Sequence, residues 1–510
     1  MVRNAFAALC VALLPMSLPL PASAGFPASL PSSARAPLAA VPSSAGVLLA
    51  AVPSSGGAAT AGAPPGVTPA AVDAFVDRYR EATGLPGVAV ALVKGGQVVH
   101  VAGYGRTATG ERVTADTPMA VASVSKSFTS LAVMQLVEKG EVDLDGPVRD
   151  HLPEFTMADP RAARVTVRQL LDHTSGMADS AFHERSLPLP ATLQGAVARL
   201  RTARLAAAPG TAFSYHNTNF QVAARLVEVV SGEPFAHYLR AHVFTPLGMR
   251  HSGTVDTERD LPGSARGHLY VLGHPFAVPE PAGFGGGSGG VLSTAADMAR
   301  WLIAQNRGVP SERSARELRA ASERHARYAL GWELGTTGRG TPFIGHGGDL
   351  FTSTADQLRM PESGYGVAVM ANTGTAFGDA HAITDGLVAL IEDAEPEVPS
   401  ALPYLLIDVV LLSLTLATAG LAARGVARSR RWAARRTGWQ RSRLVPYLTP
   451  LALCAGMVPV FRVLSRGRDI AWIQLWYLYP TFMLWLVVAA VACTAVVVAR
   501  LLGAMGARRR

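Results

Sequence analysis

The stretch "MAVASVSKSFTSLAVMQLVEKG", residues 119–140, holds two of the three lysines in the chain, Lys126 and Lys139; the third is Lys94, and every other strongly basic residue is arginine. Lys139 stands before Gly140, where a cation suits the end of a helix. Lys126 stands three residues after Ser123, where an apolar helical run begins. Arginine stays charged at any accessible pH, whereas burial can drive a lysine ammonium to neutrality. A neutral amine beside a hydroxyl is a base beside a nucleophile. If the helix starts at Ser123, both side chains share one face in adjacent turns. The unpaired N–H groups of that turn would then stabilise negative charge on the serine. S-x-x-K alone fits an N-cap serine followed by a solvated lysine equally well, so the rest of the chain has to decide.

Around this stretch the pattern is that of one domain. Thr68-Pro69 reads as an N-cap and first helical residue, followed by "AAVDAFVDRYREATG" at helical spacing. "GVAVALVKGGQVVHVAGYG" places two apolar runs around Lys94-Gly95-Gly96, a β-hairpin signature. "FTSTADQLRMPESGYGVAVMANTG", residues 351–374, makes a second strand pair, and "DAHAITDGLVALIED" a closing helix. Helices fill the long stretch between. The expectation is an α/β fold: one antiparallel sheet built from both ends of residues 68–395, flanked by helices, with a mostly helical subdomain inserted.

The ends read differently. Arg3, the apolar run "AFAALCVALL" and Ala22-Ser23-Ala24 predict a secretory signal peptide over residues 1–24. Residues 25–67 are mostly Ala, Pro, Ser and Gly, a linker composition. Within residues 403–502 three apolar stretches, about 403–422, 445–464 and 472–502, are each long enough to cross a hydrocarbon core of about 30 Å, and predict three C-terminal transmembrane helices. "ARGVARSRRWAARRTGWQRSR" between the first two carries eight arginines, which places that loop in the cytoplasm. Residues 503–510 follow as a basic cytoplasmic tail. Trp472, Trp476, Tyr477 and Tyr479 suit an interfacial belt. The expected location is a bacterial cell membrane, multi-pass, with the catalytic domain outside. Asp408 is the only charge away from the ends of the three stretches, which argues against a transporter fragment.

This arrangement accounts for the net charge of +9. Residues 69–395 carry 29 Lys and Arg against 34 Asp and Glu, and residues 396–510 carry 15 against 3. The positive charge belongs to the anchor, so no nucleic-acid partner is expected. Cys10, Cys454 and Cys493 lie in the signal or the spans, which leaves the exported domain without a disulfide or a thiol nucleophile. No H-E-x-x-H or clustered His/Cys spacing points to a metal or cofactor.

Two further motifs and two supporting segments give Ser123 and Lys126 their company. "FSYHNTNF" supplies Tyr215, His216 and Asn217; "GHGGD" supplies His346, Gly347 and Gly348; "VTVRQLLDHTSGM" and "GFGGGSGGVLSTAADMARW" stand between and around them in order. The set resembles the serine β-lactamase and penicillin-binding-protein superfamily, whose nucleophile motif is S-x-x-K. It looks most like the class C β-lactamases, the D-alanyl-D-alanine carboxypeptidases and the related serine esterases, over about residues 70–393. There the second motif is Y-x-N and the third K-T-G or H-x-G.

That resemblance implies a β-lactamase/transpeptidase-like fold and assigns roles. Ser123 is the nucleophile, and serine needs a base within hydrogen-bond reach. Lys126 serves if burial and nearby cations remove its proton; Tyr215 serves if it is a phenolate. Both remain open at this point. Asn217 would donate to a substrate amide carbonyl, and His346 would add a donor beside the pocket. Gly347 and Gly348 would allow close backbone approach, and the N–H groups of Ser123 and Asp349 would form the oxyanion hole. Gly347 departs from the pattern, since many β-lactam-recognising members carry a threonine there whose hydroxyl helps bind a substrate carboxylate. His173 reads as structural. Gly286-Gly287-Ser288-Gly289-Gly290 fits the G-x-S-x-G elbow of α/β-hydrolases, but no strand precedes it and it is expected to be a mobile rim loop.

The implied function is a membrane-anchored extracytoplasmic serine hydrolase acting through an acyl-enzyme on an envelope D-alanyl peptide, a β-lactam or a small ester. The alternative is a weakly catalytic penicillin-binding or envelope-sensing protein of the same fold. The expected partners are that substrate and the lipid bilayer.

Overall fold

The structure, a computed structural model, describes residues 67–508 apart from 309–310, 435–437 and 466. The predicted signal peptide and all but the last residue of the linker lie outside the described residues, as do Arg435, Arg436 and the last two residues of the tail.

Thr68 caps the first helix, Pro69–Thr83, by accepting from the Ala71 N–H, and Gly84 ends it at φ 72°. The hairpin follows as β1 (Gly87–Lys94) and β2 (Gln97–Gly105). Two short strands, β3 (Met119–Ala120) and β4 (Gly253–Thr254), bracket the insertion, and no named strand lies between them. Next come the hairpin β5 (Gly267–Val271) and β6 (His274–Val278), then β7 (Val291–Ser293), which pairs with β3 and β4. The last strands are β8 (Tyr328–Ala329), β9 (Trp332–Thr336), β10 (Pro342–Asp349), β11 (Thr354–Met360) and β12 (Tyr365–Ala371).

The main sheet is antiparallel in the order β2-β1-β12-β11-β10-β9-β8. Strands from the two ends of the domain meet in register, Val88 against Ala371 and Lys94 against Tyr365. The alternation along β1 explains the three layers. Val88, Val90 and Leu92 pack with the first helix and the closing helix Asp379–Ile391, whereas Ala89, Ala91 and Val93 join the core under the helical insertion. A strand buried on both faces reads as one apolar run, as β1 does.

At the centre lies the helix Ser125–Glu138, buried along nearly its whole length. A helix without a solvent face needs partners for its hydroxyls inside the protein, and three of its four have one, Ser130 Oγ being without a partner among the described residues. Ser125 accepts from the Val291 N–H, Ser127 donates to the Val124 carbonyl and accepts from Gln357, and Thr129 donates to the Gly287 carbonyl.

Two of the three expected spans are single helices, and there is a third only if a bent pair crosses as one span. Two helices, Leu402–Ala427 and Pro480–Met505, are long and apolar enough to cross a membrane. The middle stretch is a pair, Ser442–Ala455 and Met457–Leu464, bent by 66°. The cause is local: Pro459 cannot donate to the residue 455 carbonyl and its ring crowds it, so the chain turns at Gly456. The third stretch is also interrupted. Its aromatic start forms a separate helix, Trp472–Leu478, and Tyr479, before Pro480, adopts φ −155°. The last helix runs on to Arg508, so the expected tail begins as helix.

Two buried aspartates are among the groups that tie this part to the preceding domain. Asp408 accepts from the Leu272 N–H of the β5–β6 turn and from Thr481. Asp469 accepts from the Arg185 N–H, from Ser186 and from Arg462, and its own N–H donates to Asp179.

Candidate active site

Ser123 does not start the helix. It sits in a 3-10 turn, Ala122–Val124, ahead of it. Ala122 holds φ 48°, a left-handed conformation that a residue with a Cβ adopts at a cost. The turn leaves Ser123 partly exposed while Lys126, in the first turn of the helix, is 0% exposed. Lys126 Nζ lies 2.9 Å from Ser123 Oγ and donates to the Ser288 carbonyl at 2.7 Å. The rings of Tyr215 and Phe220 lie 4.8 and 5.8 Å from the same nitrogen. Burial drives its pKa well below the ordinary lysine value; Glu184 opposes this, and Arg468 and Arg185 add to it. A neutral amine has one lone pair and two N–H groups. With an N–H on Ser288, the lone pair is free to face the serine hydroxyl.

The glycine loop is therefore floor rather than mobile rim. Residues 286–289 form a turn that leads into β7, not a strand-to-helix elbow. A Cβ on Gly287, at φ 72°, would lie 2.4 Å from Ala224 Cβ, and one on Gly290 would lie 1.9 Å from the Val255 carbonyl oxygen. Only glycine lets this backbone press against the Thr218–Ser231 helix and the Val255 carbonyl while presenting the Ser288 carbonyl to Lys126.

The second motif alternates. Tyr215 lines the cleft with Ser123, and its phenol is close enough for the serine hydroxyl to act on its pKa. His216 turns into the core, where it accepts from the Thr218 N–H and its other nitrogen meets the Phe182 carbonyl. Asn217 lines the cleft with its Oδ1 buried and without a protein partner. His173, at φ 55°, lies against Tyr215 with ring centroids 4.3 Å apart and accepts from the His216 N–H. It positions the phenol by packing. Burial raises the Tyr215 pKa, while the Ser123 hydroxyl and the charge of Arg468 act the other way, so the group is a phenol at neutral pH.

The third motif is the unpaired half of β10. β9 pairs with residues 342–345 only. The Leu350 N–H donates to Ser353, so the alternation of an antiparallel ladder turns the Asp349 N–H toward the open edge, into the cleft. A Cβ on Gly348 would lie 2.3 Å from the Val121 carbonyl oxygen and 3.1 Å from Ser123 N, which brings strand and serine turn into direct contact. His346 does not supply the expected donor. Its Nδ1–H donates to the Gly347 carbonyl at 2.6 Å, and Nε2, left as acceptor, takes the Tyr328 hydroxyl at 2.9 Å. Burial lowers its pKa to about 3, so it stays neutral.

The space beside Gly347 is filled from elsewhere. A Cβ there would lie 2.6 Å from His381 Cε1. His381 bridges Asp356 at 3.0 Å and Asp349 at 3.2 Å. Burial opposes its charge, but the two carboxylates prevail and raise its pKa well above the ordinary value. Among the described residues no group of His, Cys, Asp and Glu is arranged to hold a metal ion.

The beta-lactamase family profile matches residues 72–390. The chain belongs to the beta-lactamase family. Penicillin-binding protein 4 of Amycolatopsis lactamdurans is 34% identical over 327 residues, 59% of this chain and 84% of that protein. Protein flp of Staphylococcus aureus strain MW2 is 26% identical over 60% of this chain, which spans 63% of its length. Among solved structures, a penicillin-binding protein homologue from Pyrococcus abyssi superposes with a TM-score of 0.56 at 26% identity, covering 64% of this chain and 78% of that one.

As a family member the protein places Ser123, Lys126, Tyr215, Asn217, Gly348 and Asp349 around one cleft. Four participants escape a reading of motifs: the Ser288 carbonyl, Tyr328, His381 and Arg468. The first was visible only as a run of glycines. The others stand at no distinctive spacing from the motifs.

Proposed function

We propose that the protein is a membrane-anchored serine hydrolase, working outside the cytoplasmic membrane through an acyl-enzyme on an amide or ester. The single observation that carries this is the 2.9 Å approach of Lys126 Nζ to Ser123 Oγ inside a wholly buried lysine environment. Neutral Lys126 takes the Ser123 proton as Oγ attacks the substrate carbonyl. The developing oxyanion accepts from the N–H groups of Ser123 and Asp349, each such donor being worth about 3 kcal/mol. The phenol of Tyr215 gives its proton to the leaving amine or alcohol and is reprotonated from Lys126. Water then attacks the acyl carbonyl, passes its proton back through the same groups, and frees Ser123. Asn217 offers its amide to the substrate backbone. Candidate substrates are D-alanyl envelope peptides, β-lactams and small esters.

The anchored, outward placement rests on the apolar helices and on the arginine-rich stretch between the first two. The bond network between Asp469 and residues 179–186 agrees with it, because the segment before Trp472 and the catalytic part must then share one side of the membrane.

The test is phosphonylation of the purified full chain by a fluorophosphonate, with loss of fluoride, and acylation by a fluorescent penicillin, with the adduct located by mass spectrometry. A label on Ser123, absent from Ser123→Ala, is expected; an unlabelled wild-type protein beside a labelled control enzyme refutes the reading. A weakly catalytic envelope sensor is favoured by one observation, the segment of the membrane part that reaches the mouth of the cleft. Multiple turnover on any ester, lost in Ser123→Ala, eliminates it.

A further inference from the structure

We propose that Arg468, contributed by the segment between the bent helix pair and the Trp472 helix, is a carboxylate-binding residue of the site and selects substrates that carry a free carboxylate. The proposal rests on the hydrolase reading above and names its substrate class.

Several cations lie at the cleft, and most of them are already committed. Lys126 is neutral and bonded to the Ser288 carbonyl. His381 is held between Asp349 and Asp356. Arg199 donates to the Glu184 carbonyl. Arg185 lies over the Phe351 ring, and its charge acts on Glu280. Arg339 donates to the Glu392 carbonyl, and the exposed Arg327 lies over no aromatic ring among the described residues. Arg468 differs from all of them. It lines the same cleft as Ser123, its guanidinium sits 5.6 Å from the Tyr215 ring centroid, and its side chain is exposed. Among the described residues it has no hydrogen-bond or ion-pair partner. A planar fork of N–H donors stacked on an aromatic face and open to solvent is suited to a carboxylate.

Its position is built rather than incidental. Asp469 is 5% exposed and ties the backbone next to Arg468 to the 179–186 segment through the Arg185 N–H at 2.7 Å, Ser186 at 3.1 Å and the Asp179 carboxylate at 3.1 Å. Arg462 reaches both Ser186 and Asp469 at 2.7 Å. With Asp469 committed to that wall, Arg468 extends into the cleft. Tyr215, the ring it covers, has its phenol close to the Ser123 hydroxyl, so an anion on Arg468 lies about one phenol ring from the nucleophile. The neighbouring edge of β10 cannot do this work: Gly347 has no side chain, and the space beside it belongs to His381. Recognition has moved from the sheet to the membrane part.

The experiment uses the full chain in detergent micelles and two probes, an N-acylated dipeptide thioester whose leaving group ends in a carboxylate and the methyl ester of the same compound. The readout is the acid-over-ester preference, measured both as kcat/KM and as equilibrium binding to a Ser123→Ala background. Arg468→Gln is expected to reduce that preference about tenfold, mainly through KM, as befits one partly solvated charge-assisted bond. Arg468→Lys should retain part of it, and added salt should erode it in the parent protein but not in the glutamine variant. An unchanged preference in Arg468→Gln, or no preference in the parent, overturns the proposal. Fluorophosphonate labelling of Ser123 in the same samples separates the two readings: labelling with an unmoved preference removes Arg468 alone, and absent labelling of the parent removes the hydrolase reading.

Discussion

The floor and the rim of the cleft each present a basic side chain, and physical chemistry uses the two in opposite ways. Lys126 on the floor is 0% exposed and surrounded by Ser123, Ser288, Tyr215 and Phe220, so burial strips its proton and makes it a base. Arg468 on the rim is exposed and keeps its charge, which suits attraction of an anion. Those four neighbours of Lys126 lie between residues 123 and 288, inside the family match, whereas Arg468 comes from beyond residue 390. The floor lies within the family match, and under the proposed function it carries the reaction; the rim is what this chain adds to it.

The largest effect should come from breaking the floor. Lys126→Met is expected to slow acylation of Ser123 about 10³-fold, the usual scale for loss of a general base. The same change should raise the melting temperature at neutral pH. The sign follows from linkage: the Lys126 pKa is lowered on folding, so between its folded value and the ordinary 10.5 the unfolded chain binds the extra proton. Stability therefore rises with pH across that window, and the penalty is full below the folded pKa. In Lys126→Met this dependence should disappear. Thermal melts and labelling rates across pH check both halves, and a melting temperature lowered at every pH would show that the Ser288 bond outweighs the burial of the amine.

A second change breaks the junction between floor and strand. Gly348→Val places a branched side chain where a Cβ alone meets the Val121 carbonyl oxygen at 2.3 Å. The strand must move away from the serine turn and take the Asp349 N–H with it. Loss of one oxyanion donor is worth about 10²-fold in rate. Turnover should fall by that factor with KM less affected, while far-UV circular dichroism stays native. A full-rate variant would mean that the Asp349 N–H is not used.

The sequence was informative where chemistry and backbone constraint coincide. S-x-x-K, Y-x-N and H-x-G carry identities that only a site explains, and the alternation of β1 with its small alanines reports a strand buried on both faces. It misled where one pattern serves two structures. Glycines 285–287 look like a mobile loop, yet here they allow close packing, and the difference lies in neighbours such as Ala224 that are distant in sequence. His346 matches a motif, but its ring nitrogens are taken by Tyr328 and by the Gly347 carbonyl, and neither bond follows from spacing. In the apolar tail hydropathy counted three stretches, while Pro459 and Pro480 decide where the helices break. Arg468 was one arginine among many until the fold placed it over Tyr215.

A smaller effect should come from loosening the rim. Asp469→Asn keeps the shape of the side chain but removes the charge that Arg462 and the Arg185 N–H share. The segment should wander, and the acid-over-ester preference should fall about threefold, less than for Arg468→Gln, because a hydrogen bond to a charged group is weakened rather than lost. Fluorophosphonate labelling should move much less than the preference, since the floor shares no residue with this network. A drop as large as that of Arg468→Gln would mean that the anchor and the arginine act as one unit.

The smallest change sharpens the contrast from the other side. The floor is strained where the rim is merely tied: Ala122 at φ 48° precedes the nucleophile, and an alanine there costs about 1 kcal/mol over a relaxed backbone. Ala122→Gly should relieve that strain, although a glycine also widens the unfolded ensemble by about 0.4–1 kcal/mol. The two nearly cancel, so the denaturation midpoint should move little and the acylation rate should carry the information. With the methyl group gone, the turn that aims the Ser123 N–H is held less firmly, and acylation is expected to slow two- to threefold, about 0.5 kcal/mol of the donor's full worth. An unchanged rate with a higher midpoint would mean that the strain is a by-product of packing against Gly348. A slower rate with an unmoved midpoint would mean that the strained turn serves catalysis.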